Sequence, residues 1–341
     1  MTSSAPQPLP RRSGSPADPD VHYLLESSLR SLSPLVSVVV TTKDHAGHLP
    51  DALVAIEAQD LQGELEIIVC DNASADATES IMRARVESAR RPLTYVRLMR
   101  DVGPARSRNV GIAMARGTFV AFTDADCVPT PDWLRVGLTA FADPAVGVVQ
   151  GRTVPTDSRV PLFEHHIAIE RFDGTFATAN VIYRREAING LRFDPACAYW
   201  EDVDLGWRVI AKGWTGEFMS DAVVGHKVIR LSAPRWIFWP IHYKSIPAIV
   251  RNHPGFRRHL FLRVWMQPIH MLFDLAVVGA IAALWWRPAL LSIVPYLVAF
   301  FGSRGIRGRF PPAKAIAHLA WDVVAFVTLA SASARYRALV L

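Results

Sequence analysis

Val36-Ser-Val-Val-Val-Thr41 is the first of four short apolar runs whose spacing sets the architecture of this chain. It is β-branched with little polar alternation, the pattern of a strand buried on both faces. Outward from it, His48 to Gln59 reads as a helix and Glu66-Ile-Ile-Val-Cys70 as a second buried strand. Asp76 to Ala89 is helical, Leu93 to Leu98 a third strand, and Pro104 to Ala115 a helix closed by Gly117. Phe119-Val-Ala-Phe122 is a fourth strand that ends at Asp124. Strands alternating with helices predict an α/β fold with a mostly parallel, Rossmann-like sheet covered on both faces. Such sheets bind ligands beyond the carboxyl ends of their strands, where the polar clusters after Thr41, Cys70 and Phe122 stand.

The chain has 341 residues, 50% of them hydrophobic, so a sizeable core is available. The apolar residues crowd the last quarter, in three stretches: Val264 to Trp286, Pro288 to Phe301 and Ala315 to Ala332. A buried soluble core is one reading; membrane helices are the other, favoured because Trp and basic residues flank the stretches. Net charge is +6, with Arg251, Arg257, Arg258 and Arg263 before the first stretch and Arg304, Arg307, Arg309 and Lys314 before the last. That placement suits a cytoplasmic membrane face and no nucleic-acid partner.

Four pieces follow. Residues 1–33 are expected as a disordered tail with a short helix near Val21 to Leu32, 34–230 as the α/β domain, 231–263 as amphipathic interface helices, and 264–341 as a region of about three transmembrane segments. Without an apolar leader run, the α/β domain is expected in the cytoplasm of a multi-pass cell-membrane protein, its C-terminus outside. Cys70, Cys127 and Cys197 lack CxxC spacing, which argues against a disulfide framework or a zinc site.

Chemistry concentrates at few places. Asp124-Ala-Asp126 puts two carboxylates on a turn past a buried strand, hard ligands for Mg²⁺ or Mn²⁺ holding a diphosphate. Alone, a capped turn explains it as well. Asp71, followed by Asn72, Ser74 and Asp76, offers an acceptor to a nucleobase or a cap to the next helix. Gly103 opens a helix on which Arg106 and Asn109 share a face suited to phosphate or sugar hydroxyls, unless they are merely solvated. Glu201 and Asp202 stand at the N-terminus of another helix, where a carboxylate stays ionised and can act as base; Asp204 and Arg208 are spaced to pair. His226 is a possible third metal ligand or a satisfied structural histidine.

In order and spacing these residues resemble the family-2 glycosyltransferases of GT-A fold. The matching stretches are Val36 to Asp44, Ile67 to Asp76, Asp101 to Leu134, Thr178 to Arg185 and Trp200 to Trp214, within residues 35 to 230. The resemblance implies a GT-A (nucleotide-diphospho-sugar transferase) domain and an inverting, non-processive enzyme, since no Gln-x-x-Arg-Trp is present. It implies donor contacts from Thr41, Asp44, Asp71, Asn72, Arg106, Asn109 and Asp124. The metal would sit on Asp124, Asp126 and His226, and acceptor contacts would come from Thr178, Asn180 and Trp200. Asp202 would be the general base, supported by Glu201. The departures are Thr-Thr-Lys43-Asp44, where Pro-Thr-Tyr-Asn is common, and Asp-Asn-Ala-Ser, where Asp-Asp-Gly-Ser is usual.

The expected partners are a UDP-, GDP- or dTDP-linked sugar, a lipid-linked or membrane-proximal glycan acceptor, and the membrane, in cell-envelope polysaccharide biosynthesis. The alternatives are a polyprenyl-phosphate acceptor, which barely needs a base, or a nucleotide-binding membrane scaffold without catalysis. A dinucleotide oxidoreductase is disfavoured because Thr41-Thr-Lys-Asp44 stands where a G-x-G-x-x-G would follow the first strand.

Overall fold

The computed structural model describes residues 20–157, 163–197, 199–303 and 312–341. Most of the expected tail and nearly all of the basic 304–314 stretch lie outside them. The described residues form two compact units, the first of residues 20–157, 166–197 and 201–228 and the second of 163–165, 199–200, 229–303 and 312–341.

The first unit is a nine-stranded sheet flanked by helices. Its elements are β1 (Val21–Glu26), β2 (Val36–Thr42), α1 (Leu49–Glu57), β3 (Leu65–Asp71), α2 (Thr78–Glu87), β4 (Leu93–Leu98), α3 (Pro104–Met114), β5 (Phe119–Asp124) and β6 (Cys127–Pro129). Then come α4 (Trp133–Thr139), β7 (Val146–Pro155), β9 (Val181–Arg184), α5 (Glu201–Ala211) and β10 (Thr215–His226); β8 (Glu164–His165) belongs to the second unit. The strand order is β1-β4-β3-β2-β5-β9-β7-β10-β6. Strands β4, β3, β2 and β5 run parallel, as the β-branched runs predict. Beyond them β9 is antiparallel to β5 and β7, and β10 is parallel to β7. The result is a mixed α/β, GT-A-like sheet.

Burial of both faces explains the strand sequences. Val36, Val38, Val39 and Val40 of β2 and Ile67 and Val69 of β3 are wholly enclosed. Helix α3 starts at Gly103, whose φ of 81° suits glycine, and at Pro104, which presets the first helical φ. Gly111 lets α3 lie directly on β2: a Cβ there would fall 2.3 Å from Val39 Cγ1.

One difference from expectation lies at the N-terminal end. Residues 21–26 are neither tail nor helix but an edge strand, antiparallel to β4. Tyr23 stacks edge-on against Tyr95 and lies under the Arg83 guanidinium, so an aromatic anchor favours the strand over a helix.

The second unit contains β11 (Ile229–Arg230), paired with β8, then the short helices α6 (Ala233–Ile237) and α7 (Ile246–Asn252) separated by a 3-10 stretch. Three further helices follow, α8 (Pro268–Ala282), α9 (Ile293–Ser303) and α10 (Pro312–Tyr336). Three membrane-crossing segments are not supported. Among the described residues only Lys314–Tyr336 is long and apolar enough to cross a bilayer. Pro268 starts α8 late, and the chain turns at Trp285-Trp286 and again through the 3-10 stretch Arg287–Ser292, which breaks the other two runs.

Candidate active site

Asp124 ends β5, in register with Thr41 at the carboxyl edge of β2. The chain then turns through Ala125 and Asp126 into β6, which pairs with the end of β10 so that His226 stands opposite Cys127. That register brings His226 Nε2 to 3.7 Å from Asp126 Oδ2. The other ring nitrogen, Nδ1, is 2.7 Å from the Lys227 carbonyl, an acceptor that selects the tautomer with hydrogen on Nδ1. Nε2 then carries the lone pair on the Asp126 side. Asp126, Cys127 and His226 place one ligand atom each within 4.8 Å of one another. Burial pushes the Cys127 thiol well up, so it stays neutral and unsuited to a hard cation. Among the described residues no lysine or arginine pairs with Asp126; the ring nitrogens nearest its Oδ2 are those of His45 and His226, at 4.0 and 3.7 Å. A carboxylate lacking a cationic side chain, beside an imidazole lone pair and with Asp124 two residues back, fits a divalent cation that accepts mixed oxygen and nitrogen ligands.

Arg108 connects this edge to α5. It is only 8% exposed. One arm of its guanidinium lies 3.3 Å from Asp124 Oδ1, and the other donates to Glu201 Oε1 at the start of α5. Next along α5 is Asp202, half-buried, accepting hydrogen bonds from the backbone N–H of Thr178 at 3.3 Å and Val203 at 2.9 Å. Burial, and then the neighbouring Glu201 charge, raise its carboxyl to about 7, against the opposing pull of Arg108. Thr178 thus meets Asp202 through its backbone.

The expected donor residues divide. Thr41 lies at the strand edge beside Asp124. Asp44 has a left-handed φ of 56° and accepts from Ala75 N–H at 2.6 Å, which pins the loop. Asn72 is buried between Asp101 Oδ1, to which it donates at 2.6 Å, and the Val102 N–H. Asp101 in turn receives Lys43. Asp71 is 0% exposed; its oxygens accept from Ser74 N–H, Tyr95 hydroxyl and Arg97, so it braces the sheet edge and presents no oxygen outward. Arg106 pairs with Asp20 beside β1. Asn109 bonds both backbone groups of Phe193 at 2.8 Å. Both side chains are thus engaged with protein groups, although Arg106 remains 40% exposed.

On the expected acceptor side, Asn180 is a keystone. Its Oδ1 accepts from Trp133 Nε1 at 2.8 Å, and its Nδ2 donates to the Arg152 and Ala222 carbonyls. Both amide hydrogens are engaged with protein and the side chain is buried. Trp200 belongs to the second unit, has a left-handed φ of 68°, and donates from its indole to the His242 carbonyl at 3.1 Å. Asp204 and Arg208 do pair, at 2.7 Å. Arg108, which neither motif nor spacing had singled out, shares a buried helical stripe with Ala105 and Ile112. An arginine at that phase of an otherwise apolar stripe is the signal that marks it.

Residues 37–195 match the sequence profile of Glycosyl transferase family 2. Residues 37–195 are a family-2 glycosyltransferase domain. The chain is 28% identical over 237 residues to the pre-mycofactocin glycosyltransferase of Mycobacterium tuberculosis, covering 64% of this chain and 48% of that protein. It is 33% identical over 278 residues to the validoxylamine A glucosyltransferase of Streptomyces hygroscopicus subsp. jinggangensis, covering 68% of this chain and 64% of that one. The glycosyltransferase domain therefore sits in a chain that spans about half the length of the first of these relatives. Two solved structures share the fold. TarS 1–349 of S. aureus in complex with UDP has a TM-score of 0.52 at 17% identity, over 88% of this chain and 91% of that chain. The mannosyltransferase PcManGT of Pyrobaculum calidifontis, in complex with GDP-Man and Mn²⁺, has a TM-score of 0.53 at 21% identity, over 90% and 88%.

Proposed function

We propose that the chain transfers a sugar from a nucleotide-sugar donor to an acceptor hydroxyl, inverting the anomeric centre. The observation that carries this reading is Arg108, whose one guanidinium spans Asp124 on the donor edge and Glu201 beside Asp202. Asp202 takes the hydroxyl proton as the acceptor oxygen bonds to the anomeric carbon, and the nucleoside diphosphate leaves with the electron pair of the broken C–O bond. A carboxyl raised to about 7 is a stronger base than an ordinary carboxylate, yet much of it is ionised at neutral pH. Thr178 and Val203 hold its oxygens in place. Asp124, Asp126 and His226 would hold Mg²⁺ or Mn²⁺, which supplies charge neutralisation on the departing diphosphate.

The acceptor in this reading is a hydroxyl of a lipid-linked or membrane-proximal glycan. The rival acceptor is a polyprenyl phosphate, already an anion and in no need of a base. Asp202→Asn decides between them. Transfer falls by roughly 10²- to 10⁴-fold for a hydroxyl acceptor and hardly at all for a phosphate. Thermal shift with UDP-, GDP- and dTDP-sugars identifies the donor, because a true donor at about 100 times its Kd stabilises by about 2.7 kcal/mol. A chain that binds a donor but neither hydrolyses nor transfers it would instead be a scaffold.

A further inference from the structure

The second unit is built inside out. Three ionisable groups in the middle of this unit, His270 and Asp274 on α8 and Asp322 on α10, are buried, whereas Lys314, His318 and Arg335 towards the ends of α10 are half-buried or exposed. Asp322 accepts the Tyr296 hydroxyl at 2.7 Å and Asp274 the Trp265 indole at 2.8 Å. Its outward faces are apolar: Val278 and Ile281 on α8, Leu297 and Val298 on α9, Val323 and Val327 on α10 are all exposed. Polar groups turned inward under an apolar surface are the arrangement of helices in lipid, the reverse of a water-soluble bundle.

The path of the chain says how it meets lipid. Helix α8 has 15 residues and α9 has 11. At 1.5 Å per residue they reach about 22 and 16 Å, short of a hydrocarbon core of about 30 Å. They form an antiparallel hairpin, with Phe273 against Tyr296 at 5.3 Å and Gly279 too close to Ser292 for a Cβ. Helix α10 packs on both helices of this hairpin, with Asp322 on Tyr296 and Phe326 on Phe273 at 6.0 Å. Near its start, His318 meets Phe300 of α9 at 6.4 Å, and Trp321 meets His270 of α8 at 5.8 Å. Beyond its end, Leu341 exchanges backbone hydrogen bonds with Val264 and Met266, just before α8. Both ends of α10 are thus tied to the two feet of one hairpin.

We propose that the second unit is a monotopic membrane element that enters a single leaflet, with α10 in the interface plane although its length would allow it to cross. The hairpin tip carries Leu284, Trp285 and Trp286, 78%, 81% and 65% exposed, followed by exposed Arg287. Tryptophan and arginine suit the headgroup boundary, whereas arginine is costly at the bilayer centre. Exposed Arg251, Arg258 and Arg263 precede α8 and complement anionic headgroups. Entry is therefore shallow, at the headgroup–acyl boundary.

This inference does not depend on the catalytic reading. The test uses the full chain in host membranes, with Cys197→Ser as background because Cys70 and Cys127 are buried. Single cysteines are placed at three exposed positions, Gln267→Cys, Gly302→Cys and Arg337→Cys, and treated with an impermeant maleimide in inside-out and right-side-out vesicles. All three label in the same vesicle orientation if the unit is monotopic. Labelling of Arg337→Cys in the opposite orientation overturns the proposal in favour of a crossing α10, and a split between Gln267→Cys and Gly302→Cys overturns the hairpin. A fluorophore on Leu284→Cys is quenched more by shallow than by deep spin-labelled lipid; the reverse order defeats shallow entry. Recovery of the chain in the aqueous fraction as a discrete oligomer means a second copy covers the apolar face, and the proposal fails.

Discussion

At Asp202 opposing fields meet. Desolvation and Glu201 raise its proton affinity, and the Arg108 charge lowers it. A base must be unprotonated, so kcat/KM is expected to rise with pH through about 7 and level off above it. Arg108→Gln removes the lowering charge and moves that limb to higher pH, a change read from the pH–rate profile. It also strands buried Glu201, which is expected to cost about 3–5 kcal/mol in denaturant unfolding. The linkage sign follows from the raised folded value. Keeping Asp202 protonated favours the fold fully below the unfolded carboxyl value, and that benefit disappears as pH climbs towards 7. Asp202→Asn should therefore gain stability relative to wild type between pH 4 and pH 8; an unchanged difference would show that the carboxyl is not raised. The acids of this candidate site were legible in the sequence because Asp124 ends a strand, Asp126 stands on the turn after it, and Glu201 and Asp202 open a helix. Arg108 was not, because its meaning comes from a partner 93 residues away. For Asp71, Asn109 and Asn180 the sequence does not show the protein partners they hold, because a polar residue near a strand end looks the same whether it faces a ligand or braces protein.

Elements fix where those residues stand. The Trp133 indole relies on Asn180, which also ties the Arg152 and Ala222 carbonyls together. Asn180→Ala leaves the buried indole donor unsatisfied and is expected to destabilise by about 1–3 kcal/mol, with donor affinity little changed. Gly111→Leu forces α3 off Val39, expected to cost about 1–3 kcal/mol and to lower activity as well, because α3 also carries Arg108. A melting temperature and activity both at wild-type level would show that α3 adjusts freely. The four parallel strands were readable because both of their faces are buried, which leaves an unbroken apolar run. Strand β1 was not, since only Leu25 of its six residues is buried and its partner, β4, lies about 70 residues on. The apolar C-terminal runs were visible as composition, but their breaks depend on turns at Trp285-Trp286 and Pro288 that hydropathy alone smooths over.

For the whole molecule, removal of divalent metal is the broadest test of the donor edge. EDTA should return the melting temperature of the donor-saturated chain to that of the chain alone, and Mn²⁺ should restore it. His226→Ala should weaken the Mn²⁺ response more than it changes the melting temperature without metal. A donor-dependent shift that survives EDTA would show that Asp124, Asp126 and His226 do not hold the ion. The separation between Arg108 and Glu201 carries one further consequence, for biosynthesis. At ribosomal speeds of about 5–20 residues per second, the 93 intervening residues take roughly 5–20 s to emerge. Once β5 has emerged, a nascent chain has its parallel strands but only Asp124 to answer the Arg108 charge until Glu201 follows. Full pairing of the Arg108 charge therefore waits for α5, so the Asp124 and Glu201 ends of the site are completed together.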